Sequence, residues 1–139
     1  MMVEQEVLLK RLISLEEYIR DLEEVKNNSL EEFKSNKILR RYVERTLHIA
    51  TEACLDIANH IISYEGLREP KDNKDSFGVL MEAKIIMPEL AEKFKKMAQF
   101  RNVLVHDYIR INPEIVYSIL QNNISDIVSF AKCIKNKFL

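Results

Sequence analysis

The stretch that decides the fold is LRRYVERTLHIATEACLDIANHIISY, residues 39–64. Its apolar residues recur every three or four positions, the spacing that gathers side chains on one face of an α-helix. One stripe consists of Tyr42, Ile49, Ala53, Ile57 and Ile61, and a second widens it with Leu39, Val43, Ala50, Cys54 and Ala58. A stripe this wide predicts a central, mostly buried helix from about Ser35 to Tyr64, ended by Gly66 and followed by Pro70.

The segments on either side carry further helix signals. From Val3 to about Val25 the apolar residues alternate steps of four and three, which is typical of a long helix packed nearly antiparallel to a partner. These residues are Leu8, Leu12, Leu15, Ile19 and Leu22. Ser29 is suited to cap a short helix through LEEFK, residues 30–34, and a third helix of about ten residues is predicted after the loop KDNKDSFG.

Two prolines mark the start of the remaining helices. Pro88 suits the first turn of a helix that should stop around His106 to Tyr108. Asn112 can cap the last helix, which begins at Pro113 and is predicted to run towards Lys137. Its residues available for the core are Ile115, Ile119, Ile127, Phe130 and Ile134. Together these signals predict an all-α, up-and-down four-helix bundle with one or two short extra helices, in a single domain over residues 1–139.

Composition supports this fold and limits the function. Only two glycines and three prolines occur in 139 residues, which leaves too few turn formers for a many-stranded sheet. The formal net charge of -1 excludes the broad positive field with which basic proteins gather nucleic acid, and no DNA partner is expected. Two short basic clusters, RRYVER and KFKK, are interpreted as solvated helix faces: Arg40, Arg41, Arg45, Lys93, Lys95 and Lys96.

Cysteine spacing and hydropathy limit the possible metal sites and the cellular location. Cys54 and Cys133 lie far apart in apolar helical stretches, so they are expected to be reduced core residues rather than zinc ligands or a redox pair. No apolar run approaches the roughly 20 residues that span a bilayer, and no signal peptide is recognisable at the N-terminus. A cytoplasmic protein without a membrane partner is therefore expected.

One stretch carries side chains that a hydrophobic core does not need, FRNVLVHDY at residues 100–108. Arg101 offers a permanently charged fork of donors suited to phosphate, and His106 can accept or donate a proton near neutral pH. Such a pair suits phosphoryl chemistry. A histidine at a helix C-terminus is also stabilised by the helix dipole, and the residues alone favour this structural interpretation.

The stretch from Arg101 to Tyr108 resembles the R-x4-H-x-Y signature of the HEPN superfamily, specifically the HepT-like toxins paired with MntA-like nucleotidyltransferase antitoxins. The resemblance extends over nearly all of the chain after the first helix. It includes LRRYVERTLHIATEACLDIANHIISYEGLREP (residues 39–70), SFGVLMEAKII (76–86) and INPEIVYSIL (111–120).

This resemblance implies a metal-independent ribonuclease that acts as a homodimer and needs no cofactor. The two copies of the motif would meet in a cleft between subunits, with Arg101 and His106 as catalytic residues and Asn102 as a supporting residue. It also implies that the antitoxin transfers AMP onto Tyr108 and so silences the nuclease.

Two alternatives remain open at this stage. The first is a catalytically silent HEPN protein that binds nucleotide or presents a substrate to a nucleotidyltransferase, and the second is a purely structural helical partner. His48 and His60 are separated by more than three helical turns, so they cannot jointly bind a metal within one helix. Each is interpreted as a histidine at the edge of the core.

Overall fold

The computed structural model describes the backbone of residues 2–106 and 112–139, and the side chains of residues 5–101 and 112–139. Within these residues the chain forms seven α-helices and no strand, so the predicted all-α bundle is confirmed. The helices are α1 (Met2–Val25), α2 (Leu30–Ser35), α3 (Lys37–Tyr64), α4 (Asn73–Glu82), α5 (Pro88–His106), α6 (Pro113–Asn122) and α7 (Ile124–Phe138). That residues 1–139 make one domain stays a prediction.

The helix starts follow the local signals in the sequence. Ser29 accepts a hydrogen bond from the backbone N–H of Glu32, whose side chain accepts one from the N–H of Ser29, and the two form a capping box at the start of α2. Asn36 caps α3 through the N–H of Leu39, and Asn112 caps α6. Each of these contacts satisfies a backbone donor that the first turn of a helix leaves unpaired.

The core lies between α3 and the helices packed around it. The apolar seam of α1 is buried as predicted, and α1 packs along α3 and α7. Rings from α4, α5 and α7 also meet in the core: Phe94 lies 4.9 Å, between ring centroids, from both Phe77 and Phe130. All three rings are fully buried, so they fix the N-terminal half of α5 in the bundle.

Three details of the predicted helices are wrong. The stretch KDNKDSFG was predicted as a loop, but most of it is helical, because Asp72 accepts a hydrogen bond from the N–H of Asp75 and so caps α4 at Asn73. The last helix is not continuous: α6 ends at Asn122 and α7 starts at Ile124, because the backbone of Asn123, with φ -112° and ψ -4°, departs from regular helical geometry. Tyr42 was assigned to an apolar stripe of the central helix and Ile115 to the core, but both are exposed. A helix between several neighbours is not covered on every side, and the face of α3 that carries Ile49 and Ala53 borders an open cavity.

The connection from α3 to α4 is held by an arginine. Gly66 has φ +64°, a left-handed conformation that glycine adopts without strain, and it ends α3 as predicted. Beyond it, Arg68 donates from Nη1 and Nη2 to the two oxygens of Asp75 at 2.7 and 2.9 Å. Its Nε lies 3.2 Å from each oxygen of Glu82, and its Nη2 also contacts Glu82. These contacts join the loop to both ends of α4.

The predictions about the two cysteines and about membrane-spanning helices can be checked in the described residues. Cys54 is buried and Cys133 half-buried, both as free thiols, and burial raises the pKa of the Cys54 thiol. None of the described helices is long and apolar enough to cross a membrane.

Candidate active site

The predicted catalytic and supporting residues belong to the C-terminal part of α5. Arg101 lies in this helix, and its side chain is described and 23% exposed. The backbone of Asn102 and His106 also belongs to α5, whereas their side chains lie outside the described residues. Tyr108 lies outside the described residues altogether. Arg101 is therefore the member of the motif whose surroundings can be examined directly.

Arg101 is held by a carboxylate from another helix. Its Nε and Nη2 both donate to one oxygen, Oε1, of Glu52 on α3. The Glu52 side chain is 31% exposed, so the pair is partly withdrawn from water on both sides. Charged groups in such a position interact more strongly than they would at full exposure. The contact directs the guanidinium of Arg101 towards the middle of α3.

Glu52 is in turn approached by a histidine from its own helix. His48 Nε2 lies 3.4 Å from Oε1 of Glu52, and Arg45 Nη1 lies 3.3 Å from Nδ1 of the same ring. Because an arginine can only donate, Nδ1 of His48 accepts in this arrangement, and the ring proton resides on Nε2 facing the carboxylate. Arg45, His48, Glu52 and Arg101 thus form a continuous polar line across α3 and α5.

Sequence reasoning missed this line. His48 was interpreted as a histidine at the core edge, and Glu52 was not singled out. A signal was present, because residues four apart on a helix face the same way and His48 and Glu52 are so spaced. The contact with Arg101 could not be found in the same manner, since 49 positions separate Glu52 from the arginine.

A cavity of about 290 Å³ lies between α1 and α3 beside Glu52. Its lining mixes apolar and polar side chains: Arg11, Ser14, Tyr18, Ile49, Glu52, Ala53 and Asp56. Asp56, one turn beyond Glu52 on α3, lies 3.6 Å from the guanidinium of Arg11. The two carboxylates therefore share a cavity but serve different arginines.

In the described part of the chain, residues of the basic clusters pair with nearby acidic side chains and backbone groups. Lys93 lies 3.2 Å from Asp126, Lys95 lies 3.3 Å from Glu92, and Arg40 donates to the backbone carbonyl of Lys34. These contacts agree with the interpretation of the clusters as ordinary helix faces. Among the residues whose side chains are described, no group of three or more histidine, cysteine or acidic side chains is arranged to hold a metal ion.

Comparison with known proteins shows the family to which the sequence is similar. Residues 15–134 match the family model described as "Ribonuclease HepT-like". The chain is 32% identical over 130 residues to the mRNA nuclease HepT of Shewanella oneidensis, an alignment that covers 94% of this chain and 97% of that protein. It is 31% identical to the tRNA nuclease HepT of Aphanizomenon flos-aquae over 83% of this chain and 78% of that protein.

Solved structures agree with the sequence comparison. The fold superposes with a TM-score of 0.87 on the tri-AMPylated HEPN toxin of Shewanella oneidensis in complex with its MNT antitoxin. The two chains are 31% identical, and the superposition covers 94% of this chain and 98% of the other. The likeness therefore spans the whole bundle rather than one helical hairpin.

Proposed function

This chain belongs to the HepT-like ribonuclease family, and from that premise we propose that it is the RNA-cleaving toxin of a two-component toxin–antitoxin module. The observation that carries the proposal is the placement of Arg101. Its guanidinium is partly buried and fixed against α3, in the same helix that ends at His106. Proteins use such preorganised cations to stabilise negative charge that develops on a phosphate.

The proposed reaction is attack of a ribose 2′-hydroxyl on the neighbouring phosphate. One His106 imidazole takes the hydroxyl proton, the new bond to phosphorus forms, and the bond to the 5′-oxygen breaks. A second His106, protonated, gives its proton to the leaving 5′-oxygen. Arg101 stabilises the charged phosphorane, and the products are a 2′,3′-cyclic phosphate and a 5′-hydroxyl end. Asn102 supports the substrate or His106 by hydrogen bonding.

Two histidines require two copies of the chain. One motif supplies one imidazole, and a two-fold homodimer would bring the second to the same cleft. Leu9 and Ile13, 44% and 55% exposed, lie four positions apart on α1. Large apolar side chains that face solvent in this way are suited to contact a second subunit. Substitutions that separate the subunits should abolish cleavage even where Arg101 and His106 are intact.

Silencing of the toxin is proposed to occur on Tyr108. The tyrosine oxygen attacks the α-phosphate of ATP on an MntA-like nucleotidyltransferase antitoxin, and pyrophosphate leaves. The support is the related toxin of Shewanella oneidensis, described as tri-AMPylated and in complex with an MNT antitoxin. Tyr108 follows His106 by two positions, and an added AMP anion beside Arg101 would compete with the RNA phosphate. We assign this chemistry to the cytoplasm, where RNA and ATP are both available.

The test is to express the wild type and His106→Ala in growing cells and to analyse their RNA. The wild type should arrest growth and fragment RNA, whereas His106→Ala should do neither. His60→Ala is the matched control, because His60 is a histidine of α3 that the proposal does not use, and it should behave as the wild type does. RNA that stays intact in cells expressing the wild type would contradict the nuclease.

The same expression experiment distinguishes the nuclease from the alternative function. Co-expression with the antitoxin, followed by mass spectrometry, should find adenylate on Tyr108. A chain that leaves RNA intact but is adenylylated would be a substrate-presenting HEPN subunit, an alternative favoured by the net charge of -1 because it gives RNA no general attraction. Modification only at other residues would remove the role of Tyr108.

A further inference from the structure

An arginine at a phosphodiester site needs a fixed direction. Its guanidinium ends a flexible side chain, and the freedom of that chain must be lost before the charge can act on one phosphate. A group that restricts the arginine in advance lowers this cost. Among the described residues, the carboxylate of Glu52 is such a group.

We propose that Glu52 is a positioning residue of the nuclease, which holds Arg101 through its Nε and Nη2 edge so that the guanidinium is directed at the scissile phosphate. The inference rests on the proposed function of Arg101. Glu52 itself touches no reacting atom. It contributes orientation, and His48 restrains it from one turn earlier on α3.

The geometry favours positioning over simple cross-bracing. Glu52 uses a single oxygen, Oε1, for both Nε and Nη2 of Arg101. Holding an arginine by its Nε edge fixes the plane of the guanidinium, and the direction of Nη1 is thereby fixed as well.

The negative charge of Glu52 also supports a positioning role. A carboxylate near an RNA phosphate would weaken binding through like-charge repulsion unless a cation stands between them. Glu52 therefore does not serve to bind RNA, and its benefit should appear in the rate of the chemical step. Loss of Glu52 should accordingly lower kcat while KM for RNA stays the same or falls.

The first test measures the arginine itself rather than cleavage. The Nε–H resonance of Arg101 in a ¹⁵N-labelled full-length protein can be assigned by its disappearance in Arg101→Lys. Glu52→Ala should move this resonance to the position of freely exchanging arginines, and Glu52→Gln, which keeps an acceptor oxygen, should move it less. Asp56→Ala is the matched control, because Asp56 lines the same cavity and serves Arg11 instead. It should leave the Arg101 resonance unchanged.

The second test measures cleavage of a short fluorescent RNA by the same variants. Glu52→Ala should lower kcat on the order of 10- to 100-fold, the range in which misplacement of a reacting group falls. Glu52→Gln should lose less, and Asp56→Ala should remain within about twofold of the wild type. Thermal unfolding of each variant shows whether it folds. If Glu52→Ala does not fold, Glu52→Gln is used for the test.

A double-mutant cycle decides whether Glu52 acts through Arg101. In an Arg101→Lys background, Glu52→Ala should cause no further loss, because lysine offers no Nε–H edge to hold. An undiminished loss in that background, an unchanged Arg101 resonance in Glu52→Ala, or faster cleavage by Glu52→Ala would each overturn the proposal. If the wild type cleaves no RNA, the proposed function fails instead, and the resonance still reports whether Glu52 orients Arg101.

Discussion

Two arginines of this bundle are held by carboxylates in different ways. Arg68, between α3 and α4, contacts Asp75 and Glu82 with all three of its nitrogens. Arg101, in α5, meets a single oxygen of Glu52 through Nε and Nη2. Arg68 is 42% exposed and bonds to groups within 14 positions in the chain, whereas Arg101 is 23% exposed and Glu52 lies 49 positions away.

We interpret Arg68 as a structural arginine, whereas the catalytic role of Arg101 stays a prediction. An arginine whose donors are all occupied by carboxylates has no means of binding a phosphate. The hydrogen bonds of Arg68 with Asp75 and Glu82 raise the pKa of the guanidinium and lower the pKa of both carboxyls, which is the signature of mutual stabilisation. Glu52 contacts Arg101 with one oxygen, and the role proposed for this contact is to orient the guanidinium.

The largest expected effect separates the two arginines by activity. Arg101→Ala should lower the rate of RNA cleavage on the order of 10²- to 10³-fold, because it removes a preorganised cation from the developing phosphorane. Arg68→Ala should leave the rate per folded molecule within about twofold of the wild type. The measurement is single-turnover cleavage of a labelled RNA, normalised to the folded fraction by circular dichroism.

This comparison can fail in two ways. Equal losses of activity in the two variants would mean that the loop held by Arg68 belongs to the site. An active Arg101→Ala variant would mean that the phosphorane is stabilised by another cation. In either case the contacts that carboxylates make with Arg68 and with Arg101 would not tell a structural arginine from a catalytic one.

A smaller effect is expected at His48, which supports Glu52 at one remove. His48→Ala should lower kcat about threefold, the equivalent of one modest hydrogen bond. His48→Gln should restore most of the rate, because its amide can place an N–H donor near the position of Nε2. An equal loss in both variants would indicate that the ring is needed for packing and not for its contact with Glu52.

The features predicted best from the sequence are those that depend on residues close together in the chain. Ser29, Pro88 and Asn112 act within one helical turn, and each marks a helix start where it was expected. The seam of α1 was found for the same reason, since its period repeats every three or four residues. The break at Asn123 was missed because nothing as strong as a proline or glycine marks it.

The site was only half predictable. Arg101 and His106 were found through the resemblance of their motif, and their catalytic roles stay predictions. Glu52 was not found, because its contact with Arg101 depends on how α3 packs against α5. Local periodicity gives the faces of these two helices but not their register. Arg68 shows the same limit, since nothing in the loop sequence indicates that Asp75 and Glu82 would converge on it.

The smallest expected effect concerns the stability that Arg68 contributes and its dependence on pH. The pKa values of Asp75 and Glu82 are lowered in the folded protein, so their contribution is present above the ordinary carboxyl pKa of about 4 and is lost as pH falls further. The Tm of Arg68→Gln should lie below that of the wild type at pH 7, and the gap should close as the pH is lowered below about 4. Lys132→Gln removes the same charge from an exposed lysine that has no carboxylate within 4 Å among the described residues, and its Tm should differ little from the wild type throughout. A Tm gap for Arg68→Gln that persists in acid would mean that Arg68 stabilises the loop through packing of its aliphatic stem. Its hydrogen bonds with Asp75 and Glu82 would then not explain its structural role.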